Sequence, residues 1–126
     1  MGRAQALVEF ALAVSVFMLL VLGTFDLSRA YLTYTVVSNS AREASRYAAA
    51  HVGQAGWAAA AVQAGANLAV GVDPSSLSLS VTTQQIDTLP YISVSATYRF
   101  HSVTPFVGAL LGDPILIQVA TSELAG

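Results

Sequence analysis

Gln5–Phe25 reads QALVEFALAVSVFMLLVLGTF, and its last 16 residues, from Phe10 onward, carry no charge. As a helix those residues reach about 24 Å at about 1.5 Å per residue, short of the roughly 30 Å hydrocarbon core of a bilayer. Counted from Gln5 the stretch reaches about 31 Å. It then spans a membrane only with Glu9 tolerated near one edge. Three readings of such a stretch compete. A secretory signal removed behind the run wants a basic leader and a small-x-small cleavage site. The leader here holds one Arg, and Asp26, Leu27, Ser28 and Arg29 follow the run. The second reading is an ordinary membrane anchor. The third is a signal cut in front of the run, which leaves the run on the mature protein.

Composition agrees with a surface that does not face water. Of 126 residues, 55% are hydrophobic and 10% charged, against roughly 25% charged in a typical soluble domain. That length fits one small domain. There is no cysteine, hence no disulfide framework and no thiolate metal site. A small exported domain without disulfides needs another source of stability, and packing against neighbouring subunits is one. The cations are Arg3, Arg29, Arg42, Arg46 and Arg99, dispersed along the chain with a net charge of −2. Binding of nucleic acid through phosphate neutralisation is not expected.

The helix should continue beyond the apolar run. No Pro interrupts Gln5 to Val52, and Gly23 is the one interior Gly. Leu27, Tyr31, Tyr34, Ser38, Ala41, Ser45 and Ala48 fall at spacings of four and three, an a/d-like stripe that ends in small residues. The other face holds Arg29, Arg42, Glu43 and Arg46, read as solvated. Asp26 and Arg29, three apart, are expected to pair at the surface for a few tenths of a kcal/mol. Tyr31 and Tyr34 suit the headgroup level of a membrane.

The run RAQALVEFALAVSVFMLLVLGTFDLSRAYLTYTVVSNSAREASRYAA resembles the N-terminal half of TadE-like pseudopilins of the tight-adherence (Tad) system, relatives of type IV pilins. QALVEFAL, Gln5–Leu12, is its strongest element. The resemblance implies a prepilin peptidase cut between Ala4 and Gln5, which makes Glu9 the fifth mature residue and Phe10 the next. Gly is the more usual residue before that cut, and Ala4 departs from it. Asp26, Arg29, Tyr31, Ala41, Arg42, Glu43, Ala44, Arg46 and Tyr47 also look like the family's helix. The resemblance further implies that Glu9 pairs with the new N-terminal amine of a neighbouring subunit. Read physically, a carboxylate beside such a run costs roughly 2.5–3.5 kcal/mol near a bilayer centre and less at its edge. It has either a function or the favour of the helix dipole at an N-terminus. The positive-inside rule does not orient the chain, since three Arg follow the run within the helix. The resemblance is what puts the N-terminus in the cytoplasm.

Beyond the helix, residues 53–56 (GQAG) read as a turn and Trp57–Val70 as an Ala-rich helix weakened by Gly65. Val72–Ser76 is a loop. Leu77, Leu79 and Val81 then alternate with Ser78, Ser80 and Thr82. Ile92, Val94, Ala96, Tyr98 and Phe100 alternate with Ser93, Ser95, Thr97, Arg99 and His101. A connection with an apolar patch, Phe106, Val107, Leu110 and Leu111, leads to a last strand, Ile115–Thr121. Three sequential strands with one apolar face predict an antiparallel meander packed on the helices. The expected fold class is α+β and, by the resemblance, type IV pilin-like. Tyr47, Leu68, Leu79, Val94, Tyr98, Phe100, Ile117 and Val119 are the expected core.

No catalytic constellation is visible, and neither cofactor nor metal is expected. His51 and His101 lie on different elements without a ligand-spaced carboxylate, and Asp73, Asp87 and Asp113 read as turn formers. The expected organisation is a leader at 1–4, a transmembrane and assembly segment at 5–25, and an extracytoplasmic domain at 26–126. The expected function is a structural subunit in the cytoplasmic membrane that assembles into a Tad-type pilus or pseudopilus, for adhesion or surface-structure biogenesis. Its partners would be the prepilin peptidase, the pilus assembly platform, other pilin-like subunits and the membrane. The alternatives are a membrane-anchored extracytoplasmic binding module that does not polymerise, and a soluble module that has lost the run.

Overall fold

The computed structural model describes residues 2–125. Met1, part of the expected leader, and Gly126 lie outside the described residues. So do the side chains of residues 105 and 106, and with them the expected contribution of Phe106 to an apolar patch. Helix α1 runs unbroken over Gly2–His51, a rod of about 75 Å. Its last turn is closed locally. The His51 ring stacks on Tyr47 at 4.1 Å, and His51 Nδ1 lies 2.9 Å from the Tyr47 carbonyl oxygen. Gly53, at φ 88°, then turns the chain back in a conformation that a side chain would strain.

Helix α2, Trp57–Leu68, returns along α1. Strands β1 (Leu77–Ile86), β2 (Leu89–Phe100) and β3 (Ile115–Leu124) follow as the expected antiparallel meander in the order β1-β2-β3. The β1–β2 hairpin turns on Asp87 and Thr88, both at positive φ, the handedness that a two-residue hairpin loop requires. The register sets Leu79 and Val119 on either side of Ala96, and Leu77 and Ile117 on either side of Tyr98. These inward residues form one apolar face. It packs on α1, so the fold has two layers, helices against sheet, and is α+β as expected.

The core is built from small residues on the helix side and larger ones on the sheet side. Val37, Ala41, Ala44 and Ala48 of α1 and Ala61 of α2 are buried against Ile92, Val94, Ala96, Tyr98 and Phe100 of β2. Of the expected core, Val94, Tyr98 and Phe100 are buried, and Tyr47, Leu79, Ile117 and Val119 are half-buried against it. Leu68 is corrected: it is 49% exposed, at the last residue of α2.

The stripe on α1 is corrected as well. Leu27, Tyr31 and Tyr34 are exposed. The face turned to the domain runs instead through Asp26, Ala30, Val37, Ala41, Ala44 and Ala48. Its period is the expected one, but its first half is displaced by one residue, about 100° around the helix. On this face Ala30 packs against the core that contains Phe100, while the larger Tyr31 points away from it. A second difference lies in the connection after β2, which contains a short helix, α3, over Pro105–Leu111.

Gly65 does more than weaken α2. The Ser40 hydroxyl donates to the Gly65 carbonyl at 2.7 Å in a fully buried contact. A Cβ on Gly65 would stand 2.7 Å from the Ser40 carbonyl oxygen and 2.9 Å from the Ala44 methyl. The two helices therefore cross at a distance that only glycine permits. For Gly65→Ala, helix propensity favours the variant by about 1 kcal/mol, while overpacking against backbone costs typically 1–3 kcal/mol. The expected net result is a loss of up to about 2 kcal/mol. Urea unfolding of the full chain in detergent micelles, followed through Trp57 fluorescence, measures it; unchanged stability would show that the helices part without cost at this crossing.

Candidate assembly site and helix junction

Ala4, Gln5, Glu9 and Phe10 all lie on α1 and all are exposed. The expected cut between Ala4 and Gln5 therefore falls inside helical backbone. Gln5 and Glu9, four residues apart, share one helix face about 6 Å apart along the axis. Among the described residues no ion pair or side-chain hydrogen bond involves Glu9. The folded domain sits at the other end of α1 and brings nothing to this face.

Beyond Gln5, the exposed residues flanking Glu9 are apolar. Leu7, Val8, Phe10, Leu12, Phe17 and Leu20 are exposed. The apolar window of α1 has a mean hydropathy of 2.4, and none of it is buried by the chain itself. A soluble core helix of that composition would be covered. This helix fits a single-pass membrane protein.

At the end of this stretch the structure places a polar junction. Asp26 is 2% exposed. One carboxylate oxygen accepts the Val103 N–H at 2.9 Å and the other accepts the Thr104 N–H at 2.7 Å. The Arg29 guanidinium approaches the first oxygen at 3.4 Å and lies over the Phe100 ring, 5.2 Å from its centroid. The Thr104 hydroxyl is buried and reaches no partner in good hydrogen-bond geometry; the acceptor it faces is the Asp26 carboxylate. That hydroxyl and the Val103 N–H, with the Thr104 N–H and Arg29, lower the carboxyl from its ordinary 3.8 to about 2 against the cost of burial. The expected surface pair of Asp26 and Arg29 is corrected accordingly. Its acidic member is buried and ties α1 to the backbone before α3, across 77 residues of chain. Sequence reasoning had Asp26 in the TadE-like pattern but no local signal for its partners, which are main-chain groups far along the chain.

Elsewhere, Asp73 accepts from the Ser75 N–H and hydroxyl and from the Ser76 hydroxyl, the turn role expected of it. Hydrogen bonds from Ser75, first its hydroxyl, lower its carboxyl too. Contrary to expectation, His101 does meet a carboxylate, Asp113, at 2.9 Å across the α3 connection, with both side chains exposed. Among the described residues no group of three or more His, Cys, Asp or Glu is placed to hold a metal ion.

Comparison with protein families matches residues 4–46 to the family described as TadE-like protein. The match bears out the resemblance seen in the sequence and covers α1 from the expected cut to the buried small residues. It points to a protein associated with a Tad pilus. Neither the curated proteins nor the solved structures give a match.

The Asp26 junction makes a prediction about acid. Its folded-state pKa lies below the unfolded one, so its stabilisation is complete above about pH 4 and is lost as pH falls toward about 2. Asp73 adds a contribution of the same sign. Unfolding of the full chain in micelles, measured between pH 6 and 2, should show an acid limb that is shallower in Asp26→Asn. Parallel limbs for the two proteins would mean that the junction is not formed in solution.

Proposed function

We propose that this chain is a pilin-like structural subunit: a leader at residues 1–4 is removed by a prepilin peptidase, residues 5–25 span the cytoplasmic membrane and drive assembly, and residues 26–126 stand outside it. The observation that carries the reading is the single carboxylate of Glu9 flanked by an exposed apolar surface, on a helix matched as TadE-like. Such a surface is soluble in lipid or against identical helices. Among the described residues Glu9 has no partner, and the one the assembly supplies is the Gln5 amine of a neighbour, freed by the cut. Between staggered subunits the pair meets in a low-dielectric core, where it fixes axial register. Phe10 packs beside it.

Two measurements test this. Intact-protein mass spectrometry of membrane and sheared-surface fractions should find a mature chain beginning at Gln5; a chain retaining Ala4, or beginning near Asp26, contradicts the cut. Glu9→Gln keeps the shape and removes the charge, so insertion and the fold of residues 26–125 should survive. Incorporation into filament or pseudopilus should fall, by about 3–5 kcal/mol for each contact left with one unpaired charge. Equal incorporation at equal membrane abundance would shift the reading to a membrane-anchored binding module that does not polymerise.

A further inference from the structure

The segment from Val103 to Leu111 does not stand clear of the apolar stretch of α1. It folds back down beside it. Val107 lines an apolar groove with Leu20, Gly23 and Leu27. Leu111 lines the adjoining pocket, which runs from Gly23 past Leu27 to Ala30 and Phe100, across the end of the expected span. Leu20 is six residues before Asp26, about 9 Å lower along the axis. Helix α3 thus lies level with the last part of the expected span rather than above it. If α3 were in water, the span would have to end near Leu19. It would then reach about 22 Å from Gln5, well short of the roughly 30 Å that a bilayer core requires.

The chemistry of the segment agrees with that depth. Residues 103–111 carry no charge. Leu110 is 67% exposed and Leu111 70%, side by side on a single short helix, and Val103 is exposed as well. Four N–H groups at the start of the segment are satisfied from within, which lowers the cost of placing them in lipid. Asp26 accepts the N–H groups of Val103 and Thr104, and the Thr104 carbonyl accepts those of Val107 and Gly108. The charged side chains nearest in sequence, His101 and Asp113, pair with each other where the segment leaves and rejoins the sheet.

We propose that residues 103–111 form an interfacial membrane element: α3 lies in the leaflet on the domain's side, with Leu110 and Leu111 among the acyl chains, and Asp26 is the tether that holds it there. The occupant of this surface is lipid, because Val107 and Leu111 of α3 adjoin the exposed apolar residues of α1 around Leu20 and Leu27. The chain thereby has two membrane contacts, one spanning and one lying in the interface, and their separation fixes the tilt of the sheet against the membrane. The inference rests on residues 5–25 being the span.

The test uses the full chain, one copy per nanodisc of phosphatidylethanolamine and phosphatidylglycerol. The sequence has no cysteine, so single labels can be placed at will. Leu110→Cys, Phe17→Cys as the span reference and Ser80→Cys as the water reference each carry an NBD fluorophore. The Leu110 and Phe17 labels should be quenched by lipid-borne nitroxide, and dithionite should reduce them several-fold more slowly than the Ser80 label. Adding Asp26→Ala should return the Leu110 label to the rate of Ser80 and leave Phe17 protected. A Leu110 label reduced as fast as Ser80, with Phe17 protected, overturns the inference and leaves the span standing. Loss of protection at Phe17 as well overturns both. A Leu110 label shielded from dithionite but untouched by lipid nitroxide means that protein covers α3, which overturns the assignment to lipid. Protection that persists in Asp26→Ala overturns the role of the tether.

Discussion

One helix has to satisfy two surroundings without a break, and the rest of the structure follows from that. From Gly2 to Leu22 every residue of α1 is exposed, and over its second half the helix is the floor of a folded domain. A helix forms in both places because its hydrogen bonds are internal and indifferent to the medium. Side chains alone mark the change. Large apolar residues surround the first half, while Ala and Ser dominate the buried face of the second. The small residues let α2 approach until the Ser40 hydroxyl bonds the Gly65 carbonyl. The bulk missing from the helices is returned by Ile92, Val94, Tyr98 and Phe100 from the sheet. A domain without disulfides is thus held by close contact over a narrow face.

Much of this was legible in the sequence because its signals are local. The length of α1 follows from the absence of Pro, the meander from period-two alternation, and the turns from Gly and Asp. The rotation of α1 was misread for a physical reason. The stripe was placed on the largest apolar residues, Leu27, Tyr31 and Tyr34, on the premise that bulk seeks the interior. That premise fails where a helix leaves a membrane, since bulk there also has the exterior to face. The residues turned inward, Asp26 and Ala30, are the ones a hydrophobic pattern discounts. Helix α3 was hidden likewise: seven residues are too few for a period to declare itself, and what sets its position is a carboxylate far earlier in the chain.

The candidate site divides along the same line. Ala4, Gln5, Glu9 and Phe10 were found by resemblance, and the folded chain gives them a common helix face but no partner. Asp26 was present in the same resemblance with no role attached, and the fold supplies one entirely from within.

The two acids make the physical logic of the helix explicit. They bracket the apolar stretch, one near each end, and both sit where an unpaired charge is costly. At Asp26 the chain answers that cost itself, with two backbone N–H groups and a nearby guanidinium, and the carboxyl is held ionised. The result is permanent and architectural: it fixes where the domain begins. At Glu9 none of the described residues offers an ion pair or side-chain hydrogen bond, at the end of the helix farthest from the domain. A subunit that assembles through its helix needs this asymmetry. Were both acids satisfied internally, the helix would be a finished anchor with no directional preference among neighbours; were neither, the domain would hang loosely from its span and could not carry register from one subunit to the next. With Asp26 closed by the fold and Glu9 without an ion pair among the described residues, the proposed assembly has a domain fixed to its helix and one charge left to pair.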